Sequence, residues 1–203
     1  MALDELPADF HKSETTIWLF PDAHVVHYPV SGGTELAIIV VLEDRHDDAE
    51  WNAPVPPTWV QQNMPACAEG LQALILAANT WRRWALHTLP VPSHWTHGRV
   101  ALLGDAAHPV LPFLAQGGVM ALEDAAVVAE ALYREPNDVP AALAKYERQR
   151  RRRALRVAEA SARNGRIYHM SGLGAAARNL VLRAVPAQRL MRRYDWLYGW
   201  RCE

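Results

Sequence analysis

Residues 98–109 read Gly98-Arg99-Val100-Ala101-Leu102-Leu103-Gly104-Asp105-Ala106-Ala107-His108-Pro109, and the chain continues to Gln116-Gly117-Gly118 and Glu123-Asp124. The apolar run Val100 to Leu103 predicts a short buried strand. It stops at Gly104, where the backbone can turn freely or approach a ligand closely. Asp105 then falls at the strand's end, the place where open α/β sheets put their ligand contacts. A carboxylate there can accept hydrogen bonds from sugar-like hydroxyls. After a Pro-containing link, Gln116-Gly117-Gly118 opens an amphipathic helix, whose first N–H groups are unpaired and carry partial positive charge. One loop thus offers a hydroxyl acceptor beside a cradle for an electron-rich group.

The run Gly98-Arg99-x-x-Leu102-x-Gly104-Asp105-Ala106-Ala107-His108, then Pro, then Gln116-Gly117, then Glu123-Asp124, resembles the second flavin-binding motif of FAD-dependent aromatic-ring monooxygenases, most nearly the salicylate hydroxylase-like branch. The resemblance implies that Arg99, Gly104, Asp105, Gln116, Gly117 and Gly118 hold FAD. Asp105 would bind the ribityl chain, and the Gln116–Gly118 helix start the pyrimidine edge of the flavin. Pro112 would lie near the isoalloxazine and the substrate. Many members carry Asn shortly after a Gly-Gln-Gly segment. Ala115-Gln116-Gly117-Gly118-Val119-Met120 departs from that pattern and leaves backbone contacts as the implied ones. The implied reaction is hydroxylation of a small aromatic or similar planar molecule with O2, using NADH or NADPH as electron donor.

Working outward, the 203 residues carry a formal net charge of -1, which argues against a general role on nucleic acid or a membrane surface. Cys67 and Cys202 are too few for a disulfide scaffold and fit a reducing cytoplasm. The amino terminus lacks the pattern of a secretory leader, and no apolar run approaches the roughly 20 residues that cross a bilayer.

The expected fold is α/β. A partial antiparallel substrate-domain sheet over 1–96 precedes the last flavin-domain strand and a helical region over 97–203. Thr15 to Phe20, His24 to Ser31 and Glu35 to Leu42 predict an antiparallel meander. The two-residue period puts His24, Val26 and Tyr28 on one face and Val25 and His27 on the other. Trp59 to Asn79 predicts a helix with Cys67 on it, and Trp84 to Leu89 a strand. Helices follow at Gln116–Arg134, Pro140–Arg163 and Ala175–Arg192. By resemblance, the His24 strand forms part of an active-site wall, so His24 and Tyr28 are candidates to orient a phenol or remove its proton.

No Gly-x-Gly-x-x-Gly turn precedes residue 98, so the chain is expected to be a carboxy-terminal portion. The expectation is weak FAD binding alone, and association with an amino-terminal half or with itself. The alternative is a non-catalytic fragment acting through such association. Gly172-Leu173-Gly174-Ala175-Ala176-Ala177 mimics a dinucleotide turn but reads as a helix restart, since no convincing strand precedes it. No spacing suggests a metal site. The arginines between Arg148 and Arg156 read as a solvated helix face with some pairing to acidic neighbours. Trp81, Trp84, Trp95, Trp196 and Trp200 read as packing.

Overall fold

The computed structural model describes residues 1–43 and 51–202. Two compact units are formed, one from Met1–Ala85 with Ile167–Leu180, the other from Leu86–Arg166 with Val181–Glu203.

In the first unit β1 (Thr16–Phe20), β2 (Ala23–Val30) and β3 (Glu35–Leu42) make the expected antiparallel meander, ordered β1-β2-β3. The register pairs Trp18 with Val25 and Val25 with Val40. The β2–β3 connection is a tight turn in which Gly32 and Gly33 take φ of 67° and 89°, values that favour glycine. The faces of β2 divide as the alternation predicts. Val25 packs in the core with Leu36, Leu71, Leu74 and Ile75, and His27 lies edge-on to Phe10. His24 turns the other way, toward Tyr168 and His169.

The helix expected over 59–79 is two helices, α1 (Pro57–Asn63) and α2 (Glu69–Ala77). Met64 precedes Pro65 and takes an extended ψ of 144°, because the proline ring disfavours the helical region for its predecessor. Cys67 therefore sits in the link between helices. The strand expected over 84–89 lies earlier, as β5 (Trp81–Arg83), paired with β4 (Ala53–Val55). Trp81 is anchored instead by its indole N–H, which donates to Ile75 O at 3.2 Å.

The second unit begins with a hairpin of β6 (Thr96–His97) and β7 (Val100–Ala101). Here the expectation of a buried strand over Val100–Leu103 is corrected. Only two residues pair, Val100 is 66% exposed, and Leu102 and Leu103 also face solvent. A short apolar strand is buried only within a sheet whose faces are covered by other layers. Among the described residues β7 has one neighbour, β6.

The core of this unit is built by α3 (Gly117–Arg134) and α4 (Val139–Tyr168). The α4 residues Tyr146, Arg150, Ala154, Val157 and Ser161 are buried at helical spacing and meet Met120, Val127 and Ala131 of α3. Of the arginine run, Arg148, Arg152 and Arg156 are exposed as expected, but Arg150 is corrected: it is 1% exposed because it falls on that inward stripe, and Arg153 beside it is partly buried. The last expected helix is likewise interrupted. α5 (Gly172–Ala184) ends before Pro186, then α6 (Ala187–Met191) and α7 (Asp195–Tyr198) follow. The Gly172 segment starts α5 directly after α4, as a helix restart should. Among the described residues no helix is long and apolar enough to cross a membrane.

Candidate functional site

The loop from Gly104 to Gly118 is fixed from behind by charge. Gly104 takes φ +58°, and a Cβ built on it would stand 3.3 Å from Ala121 Cβ, so the turn sits tightly on α3. Its N–H donates to Asp124 Oδ2 at 2.9 Å. The same oxygen accepts from His108 Nε2 at 2.6 Å, and Asp124 Oδ1 from Arg150 Nε at 2.7 Å. Arg150 Nη2 also pairs with Glu123 Oε2 at 2.7 Å, and Arg153 grips Glu123 through two nitrogens at 2.6 Å. Burial by itself would raise the Asp124 carboxyl. The hydrogen bonds from His108, Arg150 and Gly104 outweigh it and hold the group below the ordinary carboxylate range. Asp124 is fully buried, so each of these bonds compensates a desolvated charge.

The helix α4 fastens the rest of the loop. The Tyr146 hydroxyl donates to Leu102 O at 3.0 Å, and Glu147 accepts from the N–H groups of Trp95 and Thr96, each at 3.0 Å. Ser161 Oγ donates to Leu111 O at 2.6 Å, and Asn164 Nδ2 to Phe113 O at 3.0 Å. The Phe113 ring fills the space that a side chain at Gly165 would need. Trp95 is buried against His108 and Tyr146, while Arg150 and Arg153 lie over the Trp200 ring and Arg156 over Trp196. These tryptophans pack within the protein.

What this scaffold presents outward is sparse. Asp105 is exposed and makes no hydrogen bond or ion pair among the described residues. A Cβ built on Gly117 would stand 3.8 Å from Asp105 Oδ1, and one built on Gly118 would meet nothing within 4 Å. The carboxylate and the start of α3 are thus neighbours, and the helix start has no side-chain cap. Gln116 is buried with its Oε1 unpartnered; it lines an open cleft of about 320 Å³ with Val119, Leu122 and Trp200. Pro112 is exposed at the head of a 3-10 turn, Pro112–Leu114, and Ala115 follows in a left-handed conformation. Arg99 occupies the tip of the β6–β7 turn in solvent, without a partner among the described residues.

On the first unit, His24 and Tyr28 share a face of β2. His24 is 3% exposed and hydrogen-bonded through Nδ1 to His169 Nε2 at 2.8 Å. Desolvation, then the neighbouring His169, lowers its pKa to about 4. Unfolded His24 titrates near 6.5, so between pH 6.5 and 4 the unfolded chain binds a proton that the folded chain does not. Stability is therefore expected to fall as pH drops through that window. The loss is about 2 kcal/mol after allowance for solvent screening. Denaturant titrations at pH 7.5 and 4.5 measure it. His24→Gln should flatten the slope, and an unchanged slope in that variant would contradict the assignment.

Among the described residues no three His, Cys, Asp or Glu side chains converge as a metal site would require. Reading the sequence missed the charge network itself. Glu123 and Asp124 were visible as a motif, but their partners lie 26 to 30 residues further on. The available signal was Arg150 and Arg153 falling within the apolar stripe of α4.

Comparison with known proteins is consistent with this loop. A family model described as "FAD binding domain" matches residues 3–161. The chain is 36% identical over 98% of its length to 3-hydroxybenzoate 6-hydroxylase 2 of Aquipseudomonas alcaligenes, covering 62% of that protein. It is 35% identical over 97% of its length to 3-hydroxybenzoate 6-hydroxylase of Polaromonas naphthalenivorans, covering 49% of it. Among solved structures, a salicylate hydroxylase substrate complex superposes with a TM-score of 0.77 at 29% identity, over 92% of this chain and 47% of that one. Klebsiella pneumoniae HpxO complexed with FAD and uric acid gives 0.74 at 27% identity, over 88% and 46%. The chain thus spans about half the length of most of these relatives.

Proposed function

This chain belongs to the FAD-binding-domain family of FAD-dependent aromatic-ring monooxygenases, and from that premise we propose that its Gly104–Gly118 loop is the part of a flavin site that holds the ribityl chain and the isoalloxazine. The single observation that carries the proposal is the pairing of an exposed, unpartnered Asp105 carboxylate with the bare, uncapped start of α3 at Gly117-Gly118. The residues fit the group: a polyol can donate to the carboxylate, and a polar ring edge can accept from the helix N–H groups. Gly117 and Gly118 leave open space where side chains would otherwise project. When bound, FAD supplies the redox chemistry that lets O2 hydroxylate an aromatic ring, with NADH or NADPH as the donor.

The protein's own contribution is positioning. Asp105 fixes the polyol. The amides of Gly117 to Val119 favour negative charge on the ring edge they face. The Asp124 network keeps the loop from relaxing, which a site within ångström tolerance requires. Gly104 and Arg99 complete the proposed cofactor residues, Gly104 through the turn that its φ of +58° allows. Gln116 contributes through its backbone, its side chain being turned into the protein. Pro112 presents a rigid apolar edge beside the loop. His24 and Tyr28 are proposed for a small phenolic or related aromatic substrate, of the class the relatives' names indicate. The exposed Val100, Leu102 and Leu103 support association with further polypeptide along β7, either the portion present in the longer relatives or a second copy.

Gly117→Val tests the close approach. The nearest atoms to a Cβ there are at ordinary contact distance, 3.8 and 3.9 Å. Folding stability should change by less than about 1 kcal/mol, the cost of a helix-propensity change, while flavin affinity should drop at least about tenfold. A variant that loses stability and keeps its flavin affinity would assign the glycine to packing.

A further inference from the structure

The helix α5 has two unlike sides. On one, Arg178 Nη1 donates to Ile167 O at 3.0 Å and to Tyr168 O at 2.7 Å, which closes the last carbonyls of α4. Ala175, and Val185 just beyond the helix, share that side and are half-buried with it. The opposite side is formed by Leu173, Ala176, Ala177, Leu180 and Ala184, spaced i, i+3, i+4, i+7 and i+11. All five are exposed, Leu173 at 91% and Leu180 at 68%. Among the described residues none in α5 is buried. A helix of 13 residues gains little from its own hydrogen bonds in water and draws its stability from the packing of its apolar side.

The order of large and small residues along this stripe points to what covers it. Consider two antiparallel copies of α5 about a two-fold axis between Arg178 and Asn179. Leu173 of each copy then lies opposite Ala184 of the other, and Leu180 opposite Ala177. Every leucine enters the space above an alanine, as close helix packing requires. The charges agree with this arrangement. The stripe carries no ionisable side chain, so pairing buries none. The positive start of each helix lies beside the negative end of the other. The two Arg183 side chains are offset by about 13 Å along the axis, beyond the Debye length of about 8 Å at physiological salt. A parallel pair would instead set leucine on leucine and Arg183 on Arg183. An anionic lipid surface is served less well, because Arg178, one of the two cations of α5, is turned back onto α4.

We propose that α5 is a self-association surface, on which a second copy of this chain packs its own α5 antiparallel about a two-fold axis. The contact is isologous and therefore closes at a dimer. Its size sets its strength. One helix face about 20 Å long buries less than the roughly 800 Å² per partner of a standard interface, so the dimer is reversible, with Kd above about 1 μM. The pairing uses no residue of the flavin loop and stands apart from the flavin reading.

Sedimentation equilibrium of the 203-residue chain, from about 1 to 500 μM, tests the proposal. The native chain should pass reversibly from monomer to dimer over that range. Leu180→Lys, a change at an exposed position, should leave it monomeric throughout. Ala177→Leu alone sets leucine against leucine and should raise Kd at least about tenfold. Ala177→Leu combined with Leu180→Ala moves the large residue across the axis and should return Kd to within about threefold of native. This rescue reads the register itself, which a merely sticky surface would not reproduce. A native chain that stays monomeric would overturn the proposal, whether or not it binds phosphatidylglycerol vesicles. A dimer that survives Leu180→Lys would overturn it too, by assigning the contact to another surface such as β7. A double variant no better than Ala177→Leu alone would overturn the antiparallel register.

Discussion

Asp124→Ala is expected to lower folding stability by about 3–5 kcal/mol, the cost typical of removing one partner from a buried charge cluster. The side chain is fully buried and holds three donors at once: the Gly104 N–H, His108 Nε2 and Arg150 Nε. Truncation strands all three, and Arg150 already has one nitrogen, Nη1, without a partner. For a chain of this length the change corresponds to a fall of roughly 10 °C in Tm. Guanidinium titration of the native and variant proteins measures it directly. Arg150→Met combined with Asp124→Leu should cost less than the sum of the two single changes, because an apolar pair removes both buried charges together. A single-variant loss under about 1 kcal/mol would mean that the network is not what fixes the Gly104 turn.

Asp105→Ala is the complementary case, with the large effect on ligand and little on fold. Asp105 is exposed and bonds to nothing else among the described residues, so its removal should leave Tm within about 1–2 °C, as for ordinary surface substitutions. Flavin affinity in a full-length, FAD-binding form should fall roughly 10- to 100-fold, the range for losing a charge-assisted hydrogen bond. Fluorescence titration with FAD reads the change. The contrast between the two aspartates, nineteen positions apart in the same motif, separates what shapes the loop from what the loop offers.

That contrast also shows where the sequence was sufficient. The meander was legible because three runs rich in β-branched and aromatic residues, around Trp18, Val25 and Val40, are separated by turns at Pro21-Asp22 and Gly32-Gly33. The start of α3 at Gly117 was legible from the glycine pair and the apolar period that follows it. The break at Met64-Pro65 was legible in principle, since the residue before proline avoids the helical region, but the apolar stripe through Leu74 masked it. Val100 to Leu103 misled for a different reason. Burial of a strand depends on what lies beside it, and a run of four apolar residues carries no information about its neighbours. The roles of Arg150 and Arg153 were hidden likewise, since a charge run reads as a wet surface until the opposing helix is known to bring Glu123 and Asp124 against it. His169 was invisible because its partners His24 and Glu43 lie more than 120 residues away in sequence.

The most direct test of the flavin loop is amide chemical-shift mapping of the 203-residue chain with flavin mononucleotide, which carries the ribityl chain and isoalloxazine without the adenosine and which this method detects even when binding is weak. The account predicts the largest shifts at Gly104, Asp105, Gly117, Gly118 and Val119, and their loss in Asp105→Ala. Shifts confined to other surfaces, or none at these amides at saturating flavin, would contradict it.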